Sequence, residues 1–171
     1  MANLILNGST SGSVTLSSPA VSGTTTLTLP VQTGTVMVNG PAFSFYQSSA
    51  QTLSSNTTTK ITFTSSVFDT TSGMFASSRF TPTIAGYYQI NALISVASTQ
   101  CSISPIIYKN GTSYQYGNNG TSAMASMGVS SIVYLNGSTD YVEIYGVFST
   151  GQNTLANSAL TYFNGIMVRS A

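Results

Sequence analysis

The chain has 171 residues, of which 42% are hydrophobic and only 4% charged, for a net charge of +1; an average globular protein is about 25% charged. The charges are Lys60, Arg79, Lys109 and Arg169 against Asp69, Asp140 and Glu143, too scattered to track phosphates or to gather cations, so no nucleic-acid partner is expected. The absence of histidine and the single cysteine, Cys101, exclude imidazole triads, imidazole metal sites, thiolate zinc sites and an internal disulfide.

The remaining acids offer little chemistry. Asp140 and Glu143 are the only close pair, and an odd offset of three sends them to opposite faces of an extended strand. Glycoside hydrolysis needs two carboxyl groups facing one bond, and calcium prefers six to eight oxygen ligands. No catalytic residue, cofactor or metal ligand is therefore assigned, and the chain reads as a non-enzyme. No run approaches the ~20 apolar residues of a membrane helix, and the start M-A-N-L-I-L-N-G lacks a cationic region, so neither membrane insertion nor a signal peptide is expected. The polar quota is filled by Ser, Thr, Asn and Gln, and β-branched and aromatic residues favour strands. The chain reads as all-β.

Residues 1–40 differ in texture from the rest. Leu4-Ile5-Leu6 ends at the turn pair Asn7-Gly8, and Val14 and Leu16 alternate with Thr15. Leu27 and Leu29 alternate before Pro30, and Thr35 to Val38 follow the break at Gly34. These short strands hold too few apolar residues for a core of their own. The segment should be ordered against copies of itself, the domain behind it or a larger assembly.

From Pro41 the strands lengthen, and residues 41–171 form one domain. Phe43 and Phe45 alternate with Ser44; Lys60 to Phe63 reads as a short strand, and Val67 to Gly73 as a loop. Between Pro82 and Gly86 a bend is expected, with Gly86 free to take φ > 0. Beyond it Tyr88, Ile90, Ala92, Ile94 and Val96 alternate with Gln89, Asn91 and Ser95, the clearest period of two in the chain. Ile103 to Tyr108 is a further strand, where Pro105 suits an edge or a bulge. Asn110-Gly111 and Asn136-Gly137 signal hairpins. Met127 to Leu135 alternates; Val142, Ile144 and Phe148 share one face, with Tyr141, Glu143, Tyr145 and Val147 on the other. Gly151 to Ser158 is a polar loop, and Leu160 to Val168 the last strand. Strands at such intervals, about eight to ten in all and antiparallel, predict a β-sandwich or jelly roll.

Two resemblances extend this reading. Asn7 to Val36, with its two glycine turns and its T-L-P…T-G-T ending, resembles a module of bacteriophage tail-fibre and virion-surface proteins. Phe43 to Val168 resembles the complement-type globular head, a branch of the tumour-necrosis-factor-like jelly rolls. Its motifs are matched in order by Ile61-Thr62-Phe63; by Phe80, Pro82 (one place early), Gly86 and Tyr88; and by Lys109-Asn110-Gly111. Leu135, Gly137, Asp140 and Val142 follow, with Ser138-Thr139 inserted, and Phe163-Asn164-Gly165 closes the series. Phe80, Pro82, Gly86, Tyr88, Phe163 and Gly165 define the fold and are expected in turns and core.

The resemblance implies a homotrimer packed about a threefold axis by one sheet of each subunit. Tyrosine suits such an interface, and Tyr141, Tyr145 and Val147 are the candidates. The expected role is that of a virion structural protein (a capsid decoration, short fibre or knob) anchored to capsid or tail proteins through residues 1–40. It would be made in the host cytoplasm and lie on the virion surface. An alternative is a receptor-binding fibre tip that touches a host glycan or protein through Tyr114, Tyr116, Asn118, Asn119, Gln152 and Asn153. A secreted, lectin-like complement head is a second alternative, disfavoured by the missing signal peptide and collagen repeats.

Overall fold

A computed structural model describes residues 4–17, 23–24, 26, 40–71, 73–97, 101–118 and 126–171. The chain divides into two compact units, Met1–Gly34 and Thr35–Ala171. The strands expected around Leu27 and Leu29 and at Thr35 to Val38 lie outside the described residues, as does Asn119.

In the first unit β1 (Leu4–Asn7) and β2 (Ser13–Leu16) form an antiparallel hairpin with Leu4 opposite Leu16 and Leu6 opposite Val14. The pleat puts those four aliphatic side chains on one face, and all four are exposed.

The second unit contains β3 (Ala42–Tyr46), β4 (Thr52–Leu53), β5 (Thr59–Lys60), β6 (Ser65–Asp69), β7 (Phe75–Ala76), β8 (Arg79–Phe80) and β9 (Gly86–Ser95). β10 (Ile103–Lys109), β11 (Thr112–Tyr116), β12 (Ser126–Leu135), β13 (Val142–Phe148), β14 (Gln152–Asn153) and β15 (Tyr162–Ser170) follow. No helix interrupts them among the described residues. One sheet runs β12-β9-β15-β3-β6, and the other β11-β10-β13-β8-β7 with β5 also on β13. All pairings are antiparallel. The unit is a jelly-roll sandwich.

The alternating residues meet between the sheets. Tyr88, Ile90 and Ile94 of β9 are fully buried, as are Val142, Ile144 and Phe148 of β13. Aromatics fill one end: Phe43 lies 5.1 Å from Phe163, edge to face, and 4.5 Å from Phe80, geometries that favour ring quadrupoles. The Tyr88 ring is buried with them, and its hydroxyl donates to the Ile84 carbonyl (2.7 Å), tying the bend after the buried Pro82 to the strand it feeds. Burial raises the Tyr88 hydroxyl to about 12.

Several local expectations are corrected. Gly86 does not have φ > 0; it is glycine because a Cβ there would collide with the Arg169 carbonyl and the Met167 methyl. The positive φ belongs to Gly137 (+70°), whose backbone packs on Ile84 and Ala85. Val67 to Asp69, read as the start of a loop, belong to the edge strand β6, bulged against β3 between Ser44 and Phe45. Ile61 and Phe63 are buried as expected of a strand, but the ladder ends at Lys60. The Ile61 amide donates to the Ile144 carbonyl (2.9 Å), and Phe63 donates to Ser78 Oγ (2.7 Å) and accepts from it (3.3 Å). The polar loop from Gly151 carries β14, paired with β4, and a buried Thr154 whose hydroxyl bonds Gln47 and accepts from the Gln51 amide (2.8 Å). Pro105 stands in β10 just beyond the β11 ladder, which is bulged at Ile107/Tyr108.

Candidate functional site

Each sheet turns one face inward and one outward, so any interaction surface is written in the outward residues. On the six-stranded sheet these include Tyr141, Glu143, Tyr145 and Val147. Glu143 is 2% exposed; its Oε1 accepts from Lys60 Nζ (2.7 Å) and Arg79 Nε (2.8 Å). Burial acts to raise its carboxyl, but the two hydrogen-bonded cations outweigh it and hold the group below its ordinary 4.5. The Arg79 guanidinium lies 3.9 Å above the Tyr141 ring, a favourable cation–π arrangement. Tyr145 packs on Tyr108 with ring centroids 4.1 Å apart, and burial followed by the Glu143 charge raises its hydroxyl. The other close acid, Asp140, sits in the turn before β13. It accepts from Asn110 Nδ2 (2.7 Å) and pairs with Lys109 (3.0 Å), and these partners lower its carboxyl. The two acids thus belong to separate ion pairs and share no reacting centre. Among the described residues no cluster of acids or Cys could hold a metal ion.

The five-stranded sheet differs. Cross-strand register lines its outward residues into rows. Tyr134 stands opposite Tyr87; the next row is Ile132, Gln89, Ile166 and Ala42. A third row is Ser130, Asn91, Asn164, Ser44 and Phe68, and a fourth is Gly128, Leu93, Tyr162 and Tyr46. Ile132, Ile166 and Val168 are 54%, 52% and 50% exposed. Tyr87, Ile132 and Val168 line a groove with the chain segment Arg169 to Ala171. Grouped exposed aliphatic and aromatic side chains mark an association surface.

No protein-family model matches the chain. No curated protein sequence matches it. Solved structures do. The globular domain of zebrafish complement 1qA aligns over 78% of this chain and 100% of its own at 16% identity and TM-score 0.59. Eiger TNF from S. frugiperda aligns over 77% and 94% at 10% identity and TM-score 0.59. Murine APRIL aligns over 76% and 100% at 10% identity and TM-score 0.61. The chain carries a complement-head and tumour-necrosis-factor-like jelly roll. At these identities the likeness concerns the fold alone.

Within this jelly roll Tyr141, Tyr145 and Val147 are half-buried on the six-stranded sheet, two of them covered by Arg79 and Tyr108 of the same subunit. Phe80, Pro82, Gly86, Tyr88, Phe163 and Gly165 are all buried. A Cβ on Gly165 would sit 2.8 Å from the Phe43 ring. Tyr114 and Tyr116 are exposed on the edge strand β11, with Asn118 beyond them, while Gln152 and Asn153 form β14. No hydrogen bond among the described residues joins these two groups. The outward rows of β9, β12 and β15 escaped the sequence reading. Their one signal was the second set of alternate positions after Tyr88, Gln89 and Asn91, which shows a second face but not what that face does.

Proposed function

We propose that this protein is a non-enzymatic, homotrimeric surface protein of a bacteriophage particle, a capsid decoration, short fibre or knob held through residues 1–40. The observation that carries the reading is the outward face of the five-stranded sheet, where Ile132, Ile166 and Val168 stand half-exposed beside Tyr87 and Tyr134. Packing one such sheet from each of three subunits about an axis covers this surface three times over and leaves no open edge of the ring. The family resemblance implies the same arrangement. The interface we propose is therefore this face, and the Tyr141, Tyr145 and Val147 face looks outward from the trimer.

The virion assignment is supported by the likeness of Asn7 to Val36 to phage fibre modules. The exposed aliphatic face of the β1–β2 hairpin gives the first unit an apolar surface to dock with, and no charged side chain precedes Lys60. Docking would thus rest on apolar contact and hydrogen bonds. A receptor-binding tip is the second reading, favoured by the exposed Tyr114 and Tyr116 on an edge strand.

Light scattering on the purified protein should give three times 17.8 kDa; a stable monomer overturns the trimer. Antibody against the jelly roll, seen on particles by electron microscopy, distinguishes capsid from tail. A chain lacking residues 1–40 should form the trimer and fail to join the particle; if it still joins, anchoring lies elsewhere. Soluble jelly roll that blocks adsorption would favour the receptor-binding reading.

A further inference from the structure

The rows on the five-stranded sheet are not uniform. Between the row of Ile132 and Ile166 and the row of Leu93 and Tyr162 runs one made of Ser130, Asn91, Asn164 and Ser44. Ser130, Asn91 and Asn164 are joined to one another and to Gln89, while Ser44 and Phe68 stand at the end of the row. Gln89 Nε2 donates to Asn91 Oδ1 (3.0 Å) and Ser130 Oγ (2.8 Å). Ser130 Oγ donates to Asn91 Oδ1 (2.8 Å), and Asn91 Nδ2 donates to Asn164 Oδ1 (3.0 Å). The chain of bonds leaves two amide ends unused among the described residues. Gln89 Oε1 is an acceptor on the β9–β12 side, and Asn164 Nδ2 is a donor on the β15–β3 side.

An apolar face alone does not say how its copies align, because hydrophobic attraction is non-directional. The aliphatic rows could pack at more than one offset along the strands. A slip by one row would carry Asn164 away from Gln89, which sits between Ile132 and Ile166, and leave both amides dry and unpaired, which is costly. A polar position inside an apolar contact is the best-attested device for fixing register and copy number. A second copy of this chain supplies both missing complements, a donor for Gln89 and an acceptor for Asn164.

Resting on the trimer reading above, we propose that the Ser130–Asn91–Asn164 row is the register key of the self-association face: Asn164 Nδ2 of one copy donates to Gln89 Oε1 of the next around the ring. The row selects the offset and the number of copies, while the aliphatic rows supply affinity.

Two variants test it, with the wild-type protein beside them in native mass spectrometry and sedimentation. Replacing both Asn91→Leu and Asn164→Leu should preserve association but turn one mass into a mixture of stoichiometries. Asn164→Asp keeps the shape, removes the donor and, when ionised, sets a carboxylate against Gln89 Oε1 of the next copy. Association at about pH 8 should fall by roughly a hundredfold or more relative to about pH 3, where most of the carboxyls are protonated. Should the leucine pair fail to fold, the near-isosteric aspartate variant decides alone. A leucine pair with one mass, or an aspartate variant whose mass ignores pH, overturns the key and leaves the trimer standing. A monomeric wild-type protein overturns both.

Discussion

On the six-stranded sheet the outward side chains find their partners inside the subunit: Glu143 takes Lys60 and Arg79, Tyr141 takes Arg79, and Tyr145 takes Tyr108. On the five-stranded sheet, built on the same pleat and over the same core, Ile132, Ile166 and Val168 stay half-exposed. The first face carries the ion pairs, and the second has more unmet burial. An interface is better sought where coverage is missing than where side chains already have partners. A charged, well-bonded face is already at home in water.

Substitutions on the two faces should separate this contrast. The largest effect is expected from Ile166→Glu. It sets a carboxylate in the middle of the apolar rows and should weaken self-association by roughly a hundredfold or more, read as a shift to monomer in sedimentation with an unchanged circular dichroism spectrum. Retained association would move the interface off this sheet. Next in size is Glu143→Gln, which removes the anion between two cations. It should cost about 1.5–3 kcal/mol of unfolding free energy in denaturant melts while the oligomer mass stays the same.

The same residue shapes the acid limb of stability. The Glu143 carboxyl is held below its ordinary 4.5 in the folded chain. Its contribution is therefore fully present above that value and is lost as pH falls through the folded one. Melts of the wild-type protein should weaken across this window, and those of the glutamine variant should be flatter there; equal slopes would remove Glu143 as the cause. A smaller loss, about 0.5–1.5 kcal/mol, is expected from Tyr145→Ser through its contact with Tyr108, again without change in mass. Tyr114→Ser on the exposed edge should lie within about 0.5 kcal/mol of the wild-type protein. A larger change would mean that β11 is covered in the assembled protein.

Much of the sandwich was legible because its longest strands bury one face and wet the other. The alternation from Tyr88 survives as β9 up to Ile94, after which Ser95, expected on the wet face, is buried, and the division of β13 into Val142, Ile144 and Phe148 against Glu143, Tyr145 and Val147 matches the pleat. β6 was not legible, because its bulge against β3 breaks the period and leaves Val67 and Phe68 both exposed. Ile61 and Phe63 misled in the opposite way: alternate burial there comes from a loop pinned at Ser78 and Ile144. Gly86 looked like a turn residue, yet its constraint is the Arg169 backbone some eighty residues away in sequence. The outward rows were hidden for a similar reason. Asn91 meets Asn164 and Ser130 only through pairings between strands far apart in the chain, and no local window carries that information. What hides Tyr141 and Tyr145 is likewise distant, since Arg79 and Tyr108 come from other strands.

The end of β15 has a practical consequence for anyone handling the protein. The Ala171 amide donates to the Ala85 carbonyl (3.1 Å), and Arg169 to Ala171 line the groove beside Tyr87 and Ile132. Anything spliced on after Ala171, whether a purification tag, a fluorophore or further chain, leaves beside the apolar groove at the end of the proposed association face. Labels there should hinder the proposed assembly, so fusions meant to be silent belong away from that face.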